Sequence, residues 1–324
     1  MSLRRKSTMK PEPQAGFSAY LATPIMSIVG NVIASLIFIF VIGDPSPVPI
    51  FAVFTFFNVI NMGLFAVLPK KRKPILRKIN MILFTLVLVV LFGALGRNDL
   101  QIEGLFFLTA AGIFGAATTH FLMAKILGPV IFGRNWCGWA CWTVMLLDFL
   151  PWKKSEGWQP GGLKNVRYIH FALSLALVSA LAFGLNYVIH SPAQKADAPG
   201  SFREMVWFLS GVLGYYLLGV ILAIRLKDNR AFCKYLCPIT VFLKPATAIT
   251  LLRIRGDAEK CDQCNTCVGE CLMDINIPAY VKNNERVKST ECIMCMQCIA
   301  ACPKGALKSS VGFDMVTTEK WRMR

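Results

Sequence analysis

Cys261-Asp262-Gln263-Cys264-Asn265-Thr266-Cys267-Val268-Gly269-Glu270-Cys271 is followed, after the connector 272–291, by Cys292-Ile293-Met294-Cys295-Met296-Gln297-Cys298-Ile299-Ala300-Ala301-Cys302-Pro303. Both runs read C-x2-C-x2-C-x3-C, the ligand pattern of a ferredoxin with two 4Fe–4S clusters. Three closely spaced thiolates wrap one cube, and the fourth cysteine of each run is far enough along to reach the other cube. The spacing therefore predicts one cluster on Cys261, Cys264, Cys267 and Cys302, and a second on Cys292, Cys295, Cys298 and Cys271. Zinc sites favour paired CxxC arms and do not explain a third and a fourth cysteine, twice. A disulfide framework is open to any set of eight cysteines and is the less specific reading. Lys260 and Lys304 flank the ligands, where they could attract an acidic partner or simply be solvated.

Working outward, the 324 residues are 55% hydrophobic and only 16% charged, with mean hydropathy +0.53, which describes a polytopic membrane protein. The net charge of +17 does not indicate a nucleic-acid partner, because the basic residues cluster in short loops between apolar spans. Spans are predicted at 24–42, 48–68, 79–96, 104–127, 168–190 and 205–224, each near the length that crosses a bilayer. Arg4, Arg5, Lys6 and Lys10, then Lys70 to Lys78, then Arg134, Lys153, Lys154, Lys164 and Arg167, then Arg225 to Lys234 all fall on one side. Arg97, Lys195 and Arg203 are the only basic residues of the opposite loops. Positive-inside topology then places both termini and the ferredoxin-like part in the cytoplasm of a multi-pass inner-membrane protein. All twelve cysteines share that reducing side. Arg4-Arg5 with the turn at 43–47 reads as a retained first helix, not a cleaved signal. No CxxCH, P-loop or GxGxxG in a strand–helix setting is present, so c-type haem and nucleotide binding have no support.

The remaining four cysteines form a second pattern. Arg134-Asn135-Trp136-Cys137-Gly138-Trp139-Ala140-Cys141 follows the fourth span, and Arg230-Ala231-Phe232-Cys233-Lys234-Tyr235-Leu236-Cys237-Pro238 follows the sixth. Both read Arg-x-aromatic-Cys-x-aromatic-x-Cys after a helical hairpin, which implies a duplicated unit. Cysteines at i and i+4 share a helix face. Two such pairs could present four thiolates to a further cluster or a soft ion such as Cu(I); buried free thiols or a redox pair are the plainer alternatives. Trp136, Trp139, Trp142, Trp152 and Trp158 are expected at the headgroup level, Trp136 and Trp139 also as a shield for the cysteines. The stretches 142–151 and 238–252 read as interfacial or re-entrant helices.

With these motifs together, the chain resembles the polytopic iron–sulfur proteins of the NapH/MauN type, whose core recurs in the membrane part of the nitrous-oxide-reductase regulator. The resemblance covers roughly 79–310. It implies electron transfer from membrane quinol through iron–sulfur centres toward an extracytoplasmic cytochrome, iron–sulfur or flavin protein. Trp142 and Leu272 stand where the pattern has proline, while Pro238 and Pro303 fit it. The missing proline at 142 leaves the local geometry of the first pair open.

Quinol oxidation releases protons, so ionisable groups in or near the spans are candidates. His120 and Asp148 are the leading ones. Lys125 is expected to snorkel, His170 to be interfacial, and Asp99 and Glu103 to be solvated. Haem on His120 and His170 has little support, and His190 is too far along its span to pair with either. The small-residue runs Gly112/Gly115/Ala116 and Gly211/Gly214 read as close helix packing. The expected architecture is a mainly α membrane protein: a cytoplasmic segment 1–23, a six-helix membrane domain 24–254 with CxxxC motifs after helices four and six, an α+β ferredoxin-like domain 255–310 and a tail 311–324. The expected function is electron transfer between the quinol pool and other redox subunits. The rivals are a copper-reducing assembly factor, favoured by a Cu(I) site at the four membrane cysteines, and an iron–sulfur redox sensor.

Overall fold

The computed structural model describes residues 17–43, 45, 48–113, 116–152, 162–190, 200–314 and 317–321. Arg4, Arg5, Lys6, Lys10, Gly115, Lys153, Lys154, Trp158, Lys195 and most of the turn at 43–47 lie outside these residues.

Four helices are long and apolar enough to cross a membrane: Ala22–Val41, Lys73–Leu95, Gly162–Gly184 and Phe202–Leu226. Two shorter apolar helices, Phe51–Val67 and Thr118–Phe132, stand where the second and fourth spans are expected. Side-chain placement along the helices explains the environment. Ala22–Val41 buries Ser27, Gly30 and Ala34 and exposes Ile25, Val29, Val32 and Leu36. Small and polar residues face the protein and large apolar ones face outward, as in helices solvated by lipid. Phe202–Leu226 opens with a reciprocal capping box, in which Ser201 accepts from the Glu204 N–H and the Glu204 carboxylate accepts from the Ser201 N–H.

The fourth span is not continuous. Its first part, Ile102–Ala110, ends in a left-handed cap at Gly112, φ +70. Gly112 N–H donates to Thr109 O and Ile113 N–H to Leu108 O, the paired bonds of a Schellman stop. Gly112 therefore terminates a helix; among the described residues beyond its chain neighbours no atom lies within 4 Å of where its Cβ would be. Gly211 is a close-packing glycine, because a Cβ there would sit 2.7 Å from the Gln101 side chain.

The ferredoxin-like part starts earlier than expected, at strand β1 (Leu252–Gly256). This strand pairs antiparallel with β2 (Leu307–Val311), from Leu252↔Val311 to Gly256↔Leu307. The cysteine runs and the helix Ile277–Lys282 lie between the strands. Its core residues Ile254, Ile275, Tyr280, Val287, Ile299 and Leu307 are continuous with Tyr20, Met62, Phe65 and Trp139 of the membrane part. The tail does not run free. Asn276 N–H donates to Lys320 O, and Glu319 accepts from the Thr290 amide at 2.9 Å and hydroxyl at 2.7 Å.

Trp139 and Trp142 are buried within the protein. Trp139 packs edge-on to Phe65 at 5.1 Å and donates to Met294 O at 3.0 Å.

Candidate functional site

Cys261, Cys264, Cys267 and Cys302 line one pocket, and Cys271, Cys292, Cys295 and Cys298 line another. The fourth cysteine of each run thus stands with the first three of the other. The two runs also share a backbone. Gln263 and Asn265 (φ 56° and 59°) match Met294 and Met296 (φ 48° and 58°), and Asp274 (φ 54°) matches Gly305 (φ 59°). Left-handed residues turn successive N–H groups to one side, forming a concavity that favours anionic sulfur. Each costs roughly 1–2 kcal/mol for a non-glycine residue, a strain the packing must hold. Ile275 N–H points at Cys271 Sγ (3.4 Å) and Ala306 N–H at Cys302 Sγ (3.3 Å), four residues after each cysteine. Among the described residues no three His, Cys, Asp or Glu side chains close on a point as ligands of one ion do. The cysteines instead surround a volume, which fits a cube of iron and sulfide better than a single zinc ion. Burial pushes the Cys292 thiol to about 11 and the Cys271 thiol to about 12, so these sulfurs would release their protons only on ligation.

The two membrane motifs are held alike. On the helix Lys73–Leu95, Arg77 donates to Gly138 O and Asn80 to Trp139 O, both at 2.9 Å. On the helix Gly162–Gly184, Arg167 donates to Lys234 O, and His170 Nδ1 lies 2.8 Å from Leu236 O. Gly138 and Lys234 each follow the first cysteine of their motif, and Asn80 and His170 each stand three residues after the arginine. The second cysteine of each pair leaves the helix: Cys141 has φ −73°, ψ 116° and Cys237 has φ −60°, ψ 112°. Pro238 imposes that extended geometry on the residue before it; Cys141 adopts it without a proline. The pairs are therefore not two i, i+4 residues on one regular helix face. They do converge. Burial pushes the Cys237 thiol to about 12, with Cys137 and Cys141 adding to it, and Cys233 is pushed up by burial and then by the other three thiols, against the pull of Arg230.

Two buried carboxylates tie this region together. Asp148, 3% exposed, takes Arg77 at 2.6 Å and Arg230 at 2.8 Å. Glu291, 0% exposed, takes Arg134, Arg167 at 2.7 Å and Lys244 at 3.0 Å. Burial works against both charges. The guanidinium groups of Arg230 and Arg77 overcome it and hold Asp148 below the usual carboxylate range, while Arg134, Arg167 and Lys244 hold Glu291 at about 2. Arg230 also donates to Cys137 O at 3.1 Å, joining the second motif to the first. Toward the ferredoxin-like part, Lys234 bridges Asp228 (2.6 Å) and Asp274 (2.5 Å). A Cβ on Gly138 would sit 2.3 Å from Ile293 O, so the first motif touches the backbone of the Cys292–Cys295 loop. The cavity of Cys271, Cys292, Cys295 and Cys298 is thus the one beside the membrane cysteines, while Cys264 of the other cavity is exposed.

His120 lies 5.0 Å from the Trp136 ring and 5.9 Å from the Trp142 ring, and its buried Nε2 has no hydrogen-bond partner among the described residues. Lys125 does not snorkel: it is buried with Nζ 4.3 Å over Trp136 and 5.7 Å over Trp142. It also lies in the field of Cys141, Cys137 and Cys237. Asp99 is buried rather than solvated and accepts from Gln101 N–H at 3.0 Å. Glu103 accepts from Ser174 at 2.9 Å and Tyr215 at 3.3 Å. The residues that sequence reasoning missed are Asn80, Asp274 and Glu291, together with the structural part of Arg77, Arg134, Arg167 and Arg230. The arginine opening each CxxxC motif and the glutamate just before Cys292 were the available signals.

Comparison with known proteins meets the same residues. A family model described as a 4Fe-4S dicluster domain matches 253–303. Another, described as a 4Fe-4S binding domain, matches twice, over 114–158 and 210–253. Two uncharacterized proteins of Methanocaldococcus jannaschii are each 26% identical, one over 73% of this chain and 87% of its own length, the other over 74% and 96%. YccM of Escherichia coli, provisionally named an electron transport protein, is 26% identical over 58% of this chain and 54% of itself. The methylamine utilization ferredoxin-type protein MauN of Paracoccus denitrificans is 24% identical over 56% of this chain and 63% of itself. No solved structure matches. The motifs and these matches together support an iron–sulfur protein of the NapH/MauN type.

Proposed function

We propose that this NapH/MauN-type protein is a membrane electron-transfer subunit linking the quinol pool to redox partners. The observation that carries this reading is the contact of Gly138 with Ile293–Cys295, which puts the membrane cysteines against a ferredoxin-like cavity. Cys261, Cys264, Cys267 and Cys302 would hold one 4Fe–4S cluster, and Cys271, Cys292, Cys295 and Cys298 a second. Cys137, Cys141, Cys233 and Cys237 would hold a further cluster or metal. Bound clusters supply one-electron transfer, with potentials set by hydrogen bonds and burial around sulfur. The chain's own contribution is ligation, spacing and counter-charge. Matched carbonyl contacts of Arg77 and Arg167 support a duplicated hairpin-plus-motif unit, as does the double match of one family model. With two shorter helices counted, the unit forms a six-helix membrane domain, its basic side and both termini cytoplasmic.

Quinol would bind near His120, whose Nε2 has no hydrogen-bond partner among the described residues and lies beside Trp136 and Trp142. Asp148, saturated by two arginines, would orient the motifs beside that site. The test is anaerobic. The oxidised protein in detergent is mixed with a menaquinol or ubiquinol analogue, and cluster bleaching and EPR are followed. Rapid reduction, lost in His120→Ala, supports quinol entry. Full reduction by dithionite with none by any quinol excludes it and points to a cytoplasmic donor.

A further inference from the structure

The arginine pairs of the two halves correspond, but the carboxylates that meet them do not. Asp148 stands seven residues after Cys141, and the residue seven after Cys237 is Lys244. In the first half, the helix arginine Arg77 and the opposite motif's arginine Arg230 share Asp148. In the second half, the helix arginine Arg167 and the opposite motif's arginine Arg134 face the same task, with a lysine where the aspartate belongs. Their carboxylate comes from Glu291, next to Cys292: Arg134 takes Oε2, Arg167 takes Oε1, and Lys244 joins Arg167 on Oε1 at 3.0 Å. Arg134 and Arg167 are buried while Lys244 is about a quarter exposed, and taking a shared carboxylate from two buried guanidinium groups is costly, so the docked ferredoxin-like loop completes the second half among the described residues.

We propose that Glu291 is the positioning residue that docks the loop 291–298 onto the membrane motifs, by supplying the carboxylate that the second half lacks at Lys244. This rests on the duplicated-unit reading above. Glu291 touches no reacting group; it acts through the placement of Cys292 and Cys295 beside Gly138. Asp274 with Lys234 is a second tie, so loss of Glu291 should loosen this loop without releasing the whole domain.

The test uses the full chain in detergent, in four forms: wild type, Glu291→Gln, Glu291→Asp and the double variant Glu291→Gln/Lys244→Glu. Amide hydrogen exchange is read at 289–296 and at the β1–β2 pair, with iron and sulfide content measured in parallel. Glu291→Gln is expected to speed exchange at 289–296 about tenfold or more while β1–β2 keeps its protection. EPR line broadening between the centres on either side of Gly138 should decrease. Glu291→Asp should recover part of the protection. The double variant should keep the loop loose, yet recover thermal stability, because a carboxylate at 244 again neutralises Arg134 and Arg167. Unchanged exchange in Glu291→Gln overturns the proposal, and so does a double variant no more stable than the single one. Should Glu291→Gln fail to fold, a folded double variant supports the proposal and an unfolded one overturns it. A loosened loop in a protein that no quinol reduces would leave this docking role standing and remove only the quinol reading.

Discussion

Gly138→Ala is the sharpest test of how the ferredoxin-like part meets the membrane part. The added Cβ would lie 2.3 Å from Ile293 O and 3.4 Å from Cys295 N and Cα, and the obstacle is backbone, which cannot swing aside. Ordinary contact begins near 3.4 Å, so the loop and the motif must separate by about 1 Å. Overpacking of this kind costs about 1–3 kcal/mol. The strain has two further readouts. The Trp139 indole would move from Met294 O, now 3.0 Å away, and Gly138 O would shift against Arg77, now 2.9 Å away. The assay pairs thermal unfolding in detergent with Trp fluorescence and anaerobic reduction kinetics. The expected result is a lower midpoint, an altered tryptophan signal and slower equilibration between the membrane site and the Cys292–Cys298 site. A variant with wild-type stability and wild-type kinetics would refute the docking geometry from which the electron path is argued.

Asp148→Asn leaves Arg77 and Arg230 buried without their anion, and is expected to cost about 3–5 kcal/mol in thermal or denaturant unfolding. The same carboxylate titrates below its ordinary 3.8 in the folded protein, so its stabilisation is full above about pH 3.8 and is lost as pH falls through the lower folded value; acid unfolding of Asp148→Asn should be correspondingly less steep. Gly112→Ala places a side chain at φ +70 with no described atom beyond its chain neighbours within 4 Å, so the expected cost is the backbone's, roughly 1–2 kcal/mol of unfolding free energy, with electron transfer retained. Cys302→Ala and Cys271→Ala separate crossed from uncrossed ligation: Cys302→Ala should remove the EPR signal that Cys261→Ala removes, and Cys271→Ala the one that Cys292→Ala removes.

The cysteine spacing carried much of the site because ligand geometry is local: three cysteines within seven residues leave the chain few ways to surround a volume. The grouping of Cys302 with Cys261 follows from the same reach argument, and the two cavities have those linings. Apolar helices were legible by composition, yet the break at Gly112 was not. A glycine inside an apolar run reads equally as a packing contact or a stop, and only the bonds to Thr109 and Leu108 decide between them. The extended geometry of Cys141 was open for a related reason. Proline imposes it at Cys237, whereas at Cys141 it comes with the start of the helix Trp142–Leu147. The partners of the arginines lay beyond reach of the sequence, since Asp148 and Glu291 are paired across separations of 71 to 157 residues.

Those arginines change the meaning of the chain's +17 charge. Read along the sequence, basic loops are a topology signal. In the structure, Arg77, Arg134, Arg167, Arg230 and Lys234 are all buried, between two carboxylate hubs and two cysteine motifs. A charge kept on one side of a membrane needs no such placement, because it can stay in water. Desolvating five cations is costly unless anions meet them, and among the described residues Asp148, Glu291, Asp228 and Asp274 do so. Thiolate-ligated clusters are anionic, and Arg230 and Arg134 lie in the fields of cysteines from both motifs, Arg230 also in that of Cys295. Positive charge buried here would also balance anionic clusters held by the cysteines on either side of the Gly138 contact, and would keep their reduced forms accessible in energy. On that argument, replacing Arg230 by glutamine should lower the potential of the Cys292–Cys298 centre in a redox titration and leave that of the exposed Cys261–Cys267 centre nearly unchanged. Equal shifts at both would mean that Arg230 acts on the fold as a whole and not on the centre beside it.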